Sequence, residues 1–212
     1  MLKNKKILMI VAHADDEIII GWPIFQDKSI EKYVLLLSTD ENNKERSWCN
    51  KRGLILKDIC ENYNIGFSSF PLPSDFYKTP TRNAPFILND IYNRTIDKIN
   101  EIKKTFDFDY IFTHNPHGEY GHCDHRICFD IVHNHTDYSM LITDIVHKKN
   151  WPTYAVIPER VKNKYYTNKI KDCKVDMKTY KFCENYYKKN RYNQNCWTHN
   201  REPWGVCGLY LL

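Results

Sequence analysis

Short apolar runs alternate with longer amphipathic stretches over the first two thirds of the chain. The runs predicted as strands are KKILMIVAHA, KYVLLLSTDE, IGFSSFPLP and FDYIFTHN. The stretches predicted as helices are DDEIIIGWPIFQDK, SWCNKRGLILKDICENYN, a long segment from about Pro85 to Phe106, and HRICFDIVHNHT. Strands that alternate with helices indicate a parallel sheet covered on both faces. The sequence therefore predicts an α/β fold with a Rossmann-like, doubly wound and mostly parallel sheet.

The pattern is weaker beyond Trp151. There TYAVIPER resembles a strand, MKTYKFCENYYKKN resembles a helix, and the tail from Tyr192 is aromatic and irregular. A chain of 212 residues lies within the usual range of one domain. No linker interrupts the pattern, and we expect a single domain over residues 1–212.

Composition places the chain among globular proteins, with 42% hydrophobic and 27% charged residues. The N-terminus is basic and then apolar, as in a signal peptide, but His13, Asp15 and Asp16 interrupt the apolar run. No stretch approaches the roughly 20 apolar residues that a transmembrane helix requires. The eight cysteines have no CxxC spacing, which indicates reduced thiols. These features predict a soluble, cytoplasmic protein.

The formal charge of +5 is concentrated in the C-terminal third. Between Arg160 and Arg191 there are eleven lysines or arginines and three acids. Such a stretch is typical of a solvated face, and it also suits an anionic substrate, a membrane surface or nucleic acid.

Two polar segments follow the first and fourth predicted strands, namely AHADDE and THNPHGEYGHCDH. In doubly wound sheets these two strands are neighbours at the point where the strand order reverses, and ligands bind in the crevice at their carboxyl ends. We therefore expect the two segments to face each other.

The residue types in these segments are those of a metal-dependent active site. His13 and Asp16 are three residues apart across a turn, and His125 can complete the set from the second segment. Two histidines and one carboxylate suit a catalytic Zn²⁺, and the same ligand types suit non-haem Fe²⁺, so both metals remain open. Further polar residues for acid, base or polarising roles are Asp15, Tyr120, His122 and Asp124.

The same motifs carry a family resemblance. AHADDE resembles the AHPDDE signature, and GEYGHCDH the YGHPDH signature, of the LmbE-like (PIG-L) zinc-dependent N-acetylglucosaminyl deacetylases. The resemblance covers about the first 135 residues. It implies zinc on His13, Asp16 and His125, with Asp15 as general base.

The resemblance also implies roles for residues around these ligands. His122 would assist the oxyanion and the leaving amine, Asp124 would tune His122 by keeping it charged and oriented, and Tyr120 would polarise the carbonyl. Arg52 and Asp75 would contact substrate, although the glutamate that usually follows the arginine by three positions is Ile55 here. Two prolines of the family signatures are replaced, by Ala14 and Cys123, and neither position supplies a ligand in the family.

The expected function is hydrolysis of the N-acetyl group of an N-acetylated amino sugar or glycoconjugate precursor, which the basic C-terminal third suggests is anionic. Three alternatives remain. A nucleotide-binding module would need glycines after the first strand, and AHADDEIIIG contains no GxGxxG. A non-haem iron enzyme could use the same ligands, but it leaves Asp15 and His122 unexplained. A nucleic-acid-binding protein would rest on the basic stretch alone.

Overall fold

A computed structural model describes residues 2–37, 47–69, 84–145, 157, 159–189 and 205–212 of the chain. Its strands are β1 (Lys6–Val11), β2 (Glu31–Leu36), β3 (Gly66–Ser69), β4 (Tyr110–Phe112), β5 (Met140–Thr143), β6 (Lys169–Lys174) and β7 (Val206–Leu211). Its helices are α1 (Asp16–Ile19), α2 (Trp22–Phe25), α3 (Ser47–Asn62), α4 (Ala84–Thr105), α5 (Gly118–Gly121), α6 (Cys123–His135), α7 (Glu159–Tyr165) and α8 (Met177–Lys189).

The described strands form one seven-stranded sheet in the order β3-β2-β1-β4-β5-β7-β6. Strands β1 to β5 are parallel to one another, whereas β7 runs antiparallel to both β5 and β6. The predicted mostly parallel, doubly wound sheet is confirmed, and so is the position of the fourth strand beside the first. The strand order reverses between β1 and β4, where β1 connects to β2 on one side and pairs with β4 on the other.

Strand β1 shows why the central strands read as continuous apolar runs. Successive side chains of a strand point to opposite faces, so a strand covered on both sides needs apolar residues at every position. Met9 and Val11 belong to one apolar core, whereas Leu8 and Ile10 belong to the other. The first core includes side chains from α1, α2, α3 and α8, and the second includes side chains from α4 and α6. Helices therefore cover both faces, as expected.

The predicted helix after β1 is divided into the short helices α1 and α2. Pro23 lies in the first turn of α2, where its missing N–H is tolerated, but its ring would clash with a carbonyl of the preceding turn in a continuous helix. Gly21 lies at the junction, and a Cβ there would be 2.8 Å from the carbonyl oxygen of Glu17. Pro23 therefore ends the first helix, and the junction packs so closely that only glycine fits at position 21.

The C-terminal part differs most from expectation. The tail was predicted to be irregular, yet residues 206–211 form β7, because the sheet supplies hydrogen-bonding partners on both sides of this segment. Strand β6 was not predicted either. The predicted strand TYAVIPER is wrong at its C-terminal end, because Glu159 begins α7. Most of the other residues of this predicted strand lie outside the described part of the chain. Among the residues that the structure describes, every helix is too short or too polar to cross a membrane.

Candidate metal centre and active site

The two polar segments predicted to meet do meet, at the carboxyl ends of β1 and β4. These strands pair in parallel, with Ile7 opposite Tyr110 and Met9 opposite Phe112. Their ends therefore lie at the same edge of the sheet, and the segment with His13 and Asp16 faces helix α6, which carries His125.

Three side-chain atoms from the predicted ligands form a nearly equilateral triangle. His13 Nδ1 lies 3.2 Å from His125 Nε2 and 3.4 Å from Asp16 Oδ2, and the last two atoms are 3.4 Å apart. In a tetrahedral zinc site with bonds of about 2.0–2.1 Å, neighbouring ligand atoms are about 3.3–3.4 Å apart. The triangle therefore fits one face of such a site.

Each histidine of the triangle has a carboxylate on its other nitrogen. His13 Nε2 lies 2.9 Å from Asp124 Oδ2, and His125 Nδ1 lies 2.6 Å from Glu119 Oε2. A carboxylate accepts a hydrogen bond from the facing N–H and so fixes the tautomer and the orientation of the ring. Burial lowers the pKa of His125, which favours a neutral ring. His125 Nε2, which points into the triangle, then carries the lone pair that a metal needs, whereas His13 Nδ1 would present its lone pair once a bound ion displaced its proton.

The acidic side chains around the triangle favour a positive charge at its centre. Five described acidic side chains of this region are at most 4% exposed, namely Asp15, Asp16, Glu17, Glu119 and Asp124, and the buried arginine beside them is Arg52. Burial alone would raise the pKa of Asp16, but the neighbouring histidines hold this pKa well below its ordinary value. Burial opposes charge on His13 as well, yet hydrogen bonds to Asp124 and Asp16 raise its pKa to about 10. A bound cation would satisfy the same excess of negative charge.

Besides the triangle, three groups of described residues have ligand atoms close enough to share an ion: His13, His122 and His125; Asp16, His114 and His125; and His122, Cys123 and Asp124. The first group shares both histidines with the triangle and has His122 in place of the Asp16 carboxylate. In the second group the backbone N–H of Ala12 donates to His114 Nε2 at 3.0 Å, so this nitrogen is occupied. In the third, burial and the adjacent Asp124 raise the pKa of the Cys123 thiol, which disfavours the thiolate that a metal binds. The His13, Asp16 and His125 triangle remains the best ligand set.

Asp15, the predicted base, lies in the left-handed region with φ of 111°. Three contacts support this unusual backbone. Its N–H donates to Glu17 Oε2 at 2.8 Å, its carboxylate forms an ion pair with Arg52, and Arg52 Nη2 donates to the carbonyl of Ala14. Arg52 was predicted to contact substrate; it is only 7% exposed, and it contacts the loop that carries the base.

Glu17 and Tyr187 belong to this region and were not predicted as site residues. Glu17 is fully buried, and Tyr187 of α8 donates a hydrogen bond of 2.9 Å to its Oε1. Burial and then the charge of Asp15 raise the pKa of Glu17 to about 8. The sequence indicated only that acids at a helix start are favourable, so nothing pointed to a tyrosine 170 residues away.

His122 lies at the N-terminus of α6, where its Nδ1 accepts a hydrogen bond of 3.2 Å from the backbone N–H of Asp124. We expected Asp124 to hold His122 in a charged state. Instead burial, His13 and His125 lower the pKa of His122 to about 4, and the Asp124 carboxylate lies 3.8 Å from His122 but 2.9 Å from His13. These contacts favour a neutral His122 near pH 7 rather than the charged ring that was expected. Because Nδ1 accepts, its proton is on Nε2.

Two further predicted residues are described only in part or not at all. Tyr120 lies in helix α5, but its side chain is outside the described part, and Asp75 lies outside the described residues. Two residues absent from the prediction are His114 and Glu119. They are buried beside His125, with ring centroids of His114 and His125 3.9 Å apart. The sequence placed both in the histidine-rich loop but gave no indication of their pairing.

Comparison with known proteins shows similarity in structure but not in sequence. No protein-family model and no curated protein sequence matches the chain. The solved structures that are similar include a deacetylase of the teicoplanin biosynthesis pathway in a complex denoted bog, with a TM-score of 0.64, 11% identity, and 98% of both chains covered. The complex of such a deacetylase with teicoplanin has a TM-score of 0.60 and 11% identity, covering 98% of this chain and 99% of that one.

The deacetylase Dbv21 of A40926 pseudoaglycone is also similar, with a TM-score of 0.60, 12% identity, and 99% of this chain and 98% of that one covered. At such identities the similarity concerns the fold. The chain has the fold of these deacetylases, as the resemblance of its two motifs to the LmbE-like family implied.

Proposed function

We propose that this protein is a divalent-metal-dependent hydrolase that removes the acetyl group from an N-acetylated amino sugar or glycoconjugate. The observation that carries the proposal is the triangle formed by His13 Nδ1, Asp16 Oδ2 and His125 Nε2, with sides of 3.2–3.4 Å. Two histidines and a carboxylate that leave further coordination positions open are typical of catalytic zinc sites. Zn²⁺ is the proposed metal, and Fe²⁺ is the alternative that uses the same ligand types.

Deacetylation is favoured over other hydrolytic reactions by two independent features. The structures of similar fold include deacetylases of the teicoplanin pathway and of A40926 pseudoaglycone. The sequence also retains the acidic and histidine positions of the LmbE-like motifs, including Asp15 and His122.

The proposed reaction begins at Asp15. When bound, a divalent ion would polarise the acetyl carbonyl and lower the pKa of a water toward about 7. Asp15 accepts a proton from this water, whose oxygen attacks the carbonyl carbon. Arg52, paired with the Asp15 carboxylate, holds it in place against the loop backbone. Collapse of the tetrahedral species breaks the C–N bond, and the amine takes a proton from Asp15.

His122 keeps the expected role at the oxyanion, but it acts as a neutral donor. As a neutral imidazole with its proton on Nε2, it donates a hydrogen bond to the oxygen on which negative charge develops. One preorganised donor of this kind typically contributes about 3 kcal/mol to the transition state. Tyr120, in the short helix α5 before His122, is proposed as a second polarising group, and Asp124 is proposed to orient His13 through the contact at 2.9 Å.

The proposed acceptor is a sugar, with Arg52 and Asp75 as the residues that the family resemblance places near substrate. An anionic acceptor remains part of the proposal because of the basic C-terminal third. Several lysines of that stretch are paired with acids, among them Lys171 with Asp27 at 3.1 Å and Lys188 with Glu184 at 2.9 Å. This pairing reduces the positive charge available to a ligand, so we expect only a modest preference for phosphorylated over neutral acceptors.

The test combines metal analysis with acetate release from a panel of neutral and phosphorylated N-acetylhexosamine derivatives. Wild-type protein should carry about one metal ion and release acetate from at least one of them. Asp15→Asn should lower turnover by orders of magnitude while retaining the metal, whereas His125→Ala should lose the metal. Asp58→Asn and His135→Ala are matched controls, because both residues are exposed. Metal-free wild-type protein, or full turnover by Asp15→Asn, would contradict the proposal.

A further inference from the structure

One oxygen atom of Glu119 contacts two imidazoles. Glu119 Oε2 lies 2.9 Å from His114 Nδ1 and 2.6 Å from His125 Nδ1. All three residues are at most 2% exposed, and the two rings stack with an interplanar angle of 28°. Both Glu119 and His114 are therefore buried away from solvent.

The hydrogen bonds around His114 determine which atoms carry protons. Because the N–H of Ala12 donates to His114 Nε2, the single proton of the neutral ring is on Nδ1 and is donated to Glu119. Glu119 Oε1 accepts from the N–H of Asn115 at 3.0 Å. A carboxylate with three such donors acts as an acceptor at each contact, so His125 donates from Nδ1 and presents the lone pair of Nε2.

The loop that carries Glu119 is fixed by a second set of contacts. Asn115 Oδ1 accepts from the N–H groups of His117 and Glu119 at 3.0 and 3.1 Å, and Asn115 Nδ2 donates to the carbonyl of Ile145 at 2.8 Å. Glu119 has a φ of 57°, which is costly for a residue with a side chain and persists only where surrounding contacts impose it. These contacts fix the backbone conformation that places the Glu119 carboxylate against His125.

These contacts form a continuous path across the crevice, from Ala12, which precedes His13, through His114 and Glu119 to His125. We propose that Glu119 and His114 are positioning residues that hold His125 Nε2 at its place in the metal triangle and raise the affinity of the site for its ion. This inference rests on the proposed function, because it takes His125 as a ligand. It assigns Glu119 and His114 a role in binding the ion and no role in the chemistry of the acetyl group.

Glu119→Gln tests the inference with almost no change of shape. A glutamine cannot accept from all three donors, since its NH₂ group must face either the two imidazoles or the N–H of Asn115. Partners of this type typically contribute a factor of about 10 to 100 in metal affinity. We expect the Kd for Zn²⁺, measured by competition with a chromophoric chelator, to rise by about that factor. Glu61→Gln is the control, because Glu61 is exposed on α3.

A spectroscopic measurement separates positioning from general destabilisation. In the Co²⁺-loaded protein, Glu119→Gln should change the visible absorption spectrum, whereas Glu61→Gln should leave it unchanged. If Glu119→Gln does not fold, Glu119→Asp retains the charge but shortens the side chain, and should bind Zn²⁺ more weakly than wild type.

The outcome distinguishes this inference from the proposed function. Suppose that His125→Ala loses the metal but Glu119→Gln binds Zn²⁺ within about twofold of wild type. This result would overturn the role of Glu119 and leave the proposed function intact. If Glu119→Gln does not fold, the same reading applies to Glu119→Asp. Full metal binding by His125→Ala would overturn the proposed function itself.

Discussion

Replacing Arg52 by methionine would remove a buried cation from beside the proposed base. The side chains of Arg52 and Asp15 are only 9% and 4% exposed, and Arg52 also donates to the carbonyl of Ala14. Methionine has a similar length but no charge and no donor. The Asp15 carboxylate would therefore remain buried without its partner arginine, at a backbone position that is already strained.

The expected cost follows from this burial. Breaking a buried ion pair by removing one partner typically destabilises a protein by about 3–5 kcal/mol, because the other charge stays out of water. Lys57 and Glu61 form an ion pair on α3 whose side chains are 52% and 63% exposed, and such a pair typically contributes about 0.3–0.5 kcal/mol. The two pairs should therefore differ by several-fold.

A double-mutant cycle measures the interaction itself. The free energy of unfolding in urea would be measured for wild type, Asp15→Asn, Arg52→Met and the double variant, all metal-free in the presence of a chelator so that metal binding does not contribute. Because removing both charges leaves neither one buried alone, we expect a coupling energy of about 1.5–3 kcal/mol. The corresponding cycle for Lys57 and Glu61 is the control.

Additive effects of the two substitutions, within about 0.5 kcal/mol, would refute this reasoning. Arg52 would then make no energetic contact with Asp15, and its expected role in binding substrate would become the better explanation. A KM that rises in Arg52→Met with no change in stability would point the same way.

Two other predictions concern stability. Tyr187→Phe removes only the hydroxyl that donates to Glu17, so the free energy of unfolding should fall by about 1–2 kcal/mol, and an unchanged urea midpoint would contradict the role of this contact. Burial lowers the pKa of Lys32 from 10.5 to about 8, although the charge of Asp27 opposes this shift. Between these two pH values the folded state binds fewer protons than the unfolded state, so the free energy of unfolding should rise with pH across that window. Lys32→Met should lack this contribution. The free energy of unfolding in urea would be measured at pH 7.5 and 9.5 for wild type and Lys32→Met, and an equal change with pH in the two proteins would contradict the reasoning.

The sequence was sufficient to predict the strand order at the centre of the sheet and the meeting of the two polar segments. Both depend on local patterns, since a buried parallel strand such as β1 is apolar at every position. Strand β7 could not be predicted in the same way, because its hydrogen-bonding partners β5 and β6 are distant in sequence. A short segment with one glycine has no clear periodicity of its own.

Residue types and spacing also indicated the three ligands, but not the residues that position them. The contact between Glu119 and His125 depends on a left-handed backbone conformation within the loop, and that between Glu17 and Tyr187 depends on how α8 packs against the sheet. The charge of His122 could not be predicted either. It depends on burial and on the proximity of two other imidazoles, with His13 and His125 centroids 4.6 and 4.7 Å away.

The most direct test of the metal centre is anomalous diffraction at the zinc absorption edge from crystals of the protein grown with Zn²⁺. We expect a single strong peak about 2.0–2.2 Å from His13 Nδ1, Asp16 Oδ2 and His125 Nε2. A peak coordinated instead by His114, or the absence of any peak near these three atoms at saturating Zn²⁺, would contradict the proposed site and the reaction that depends on it.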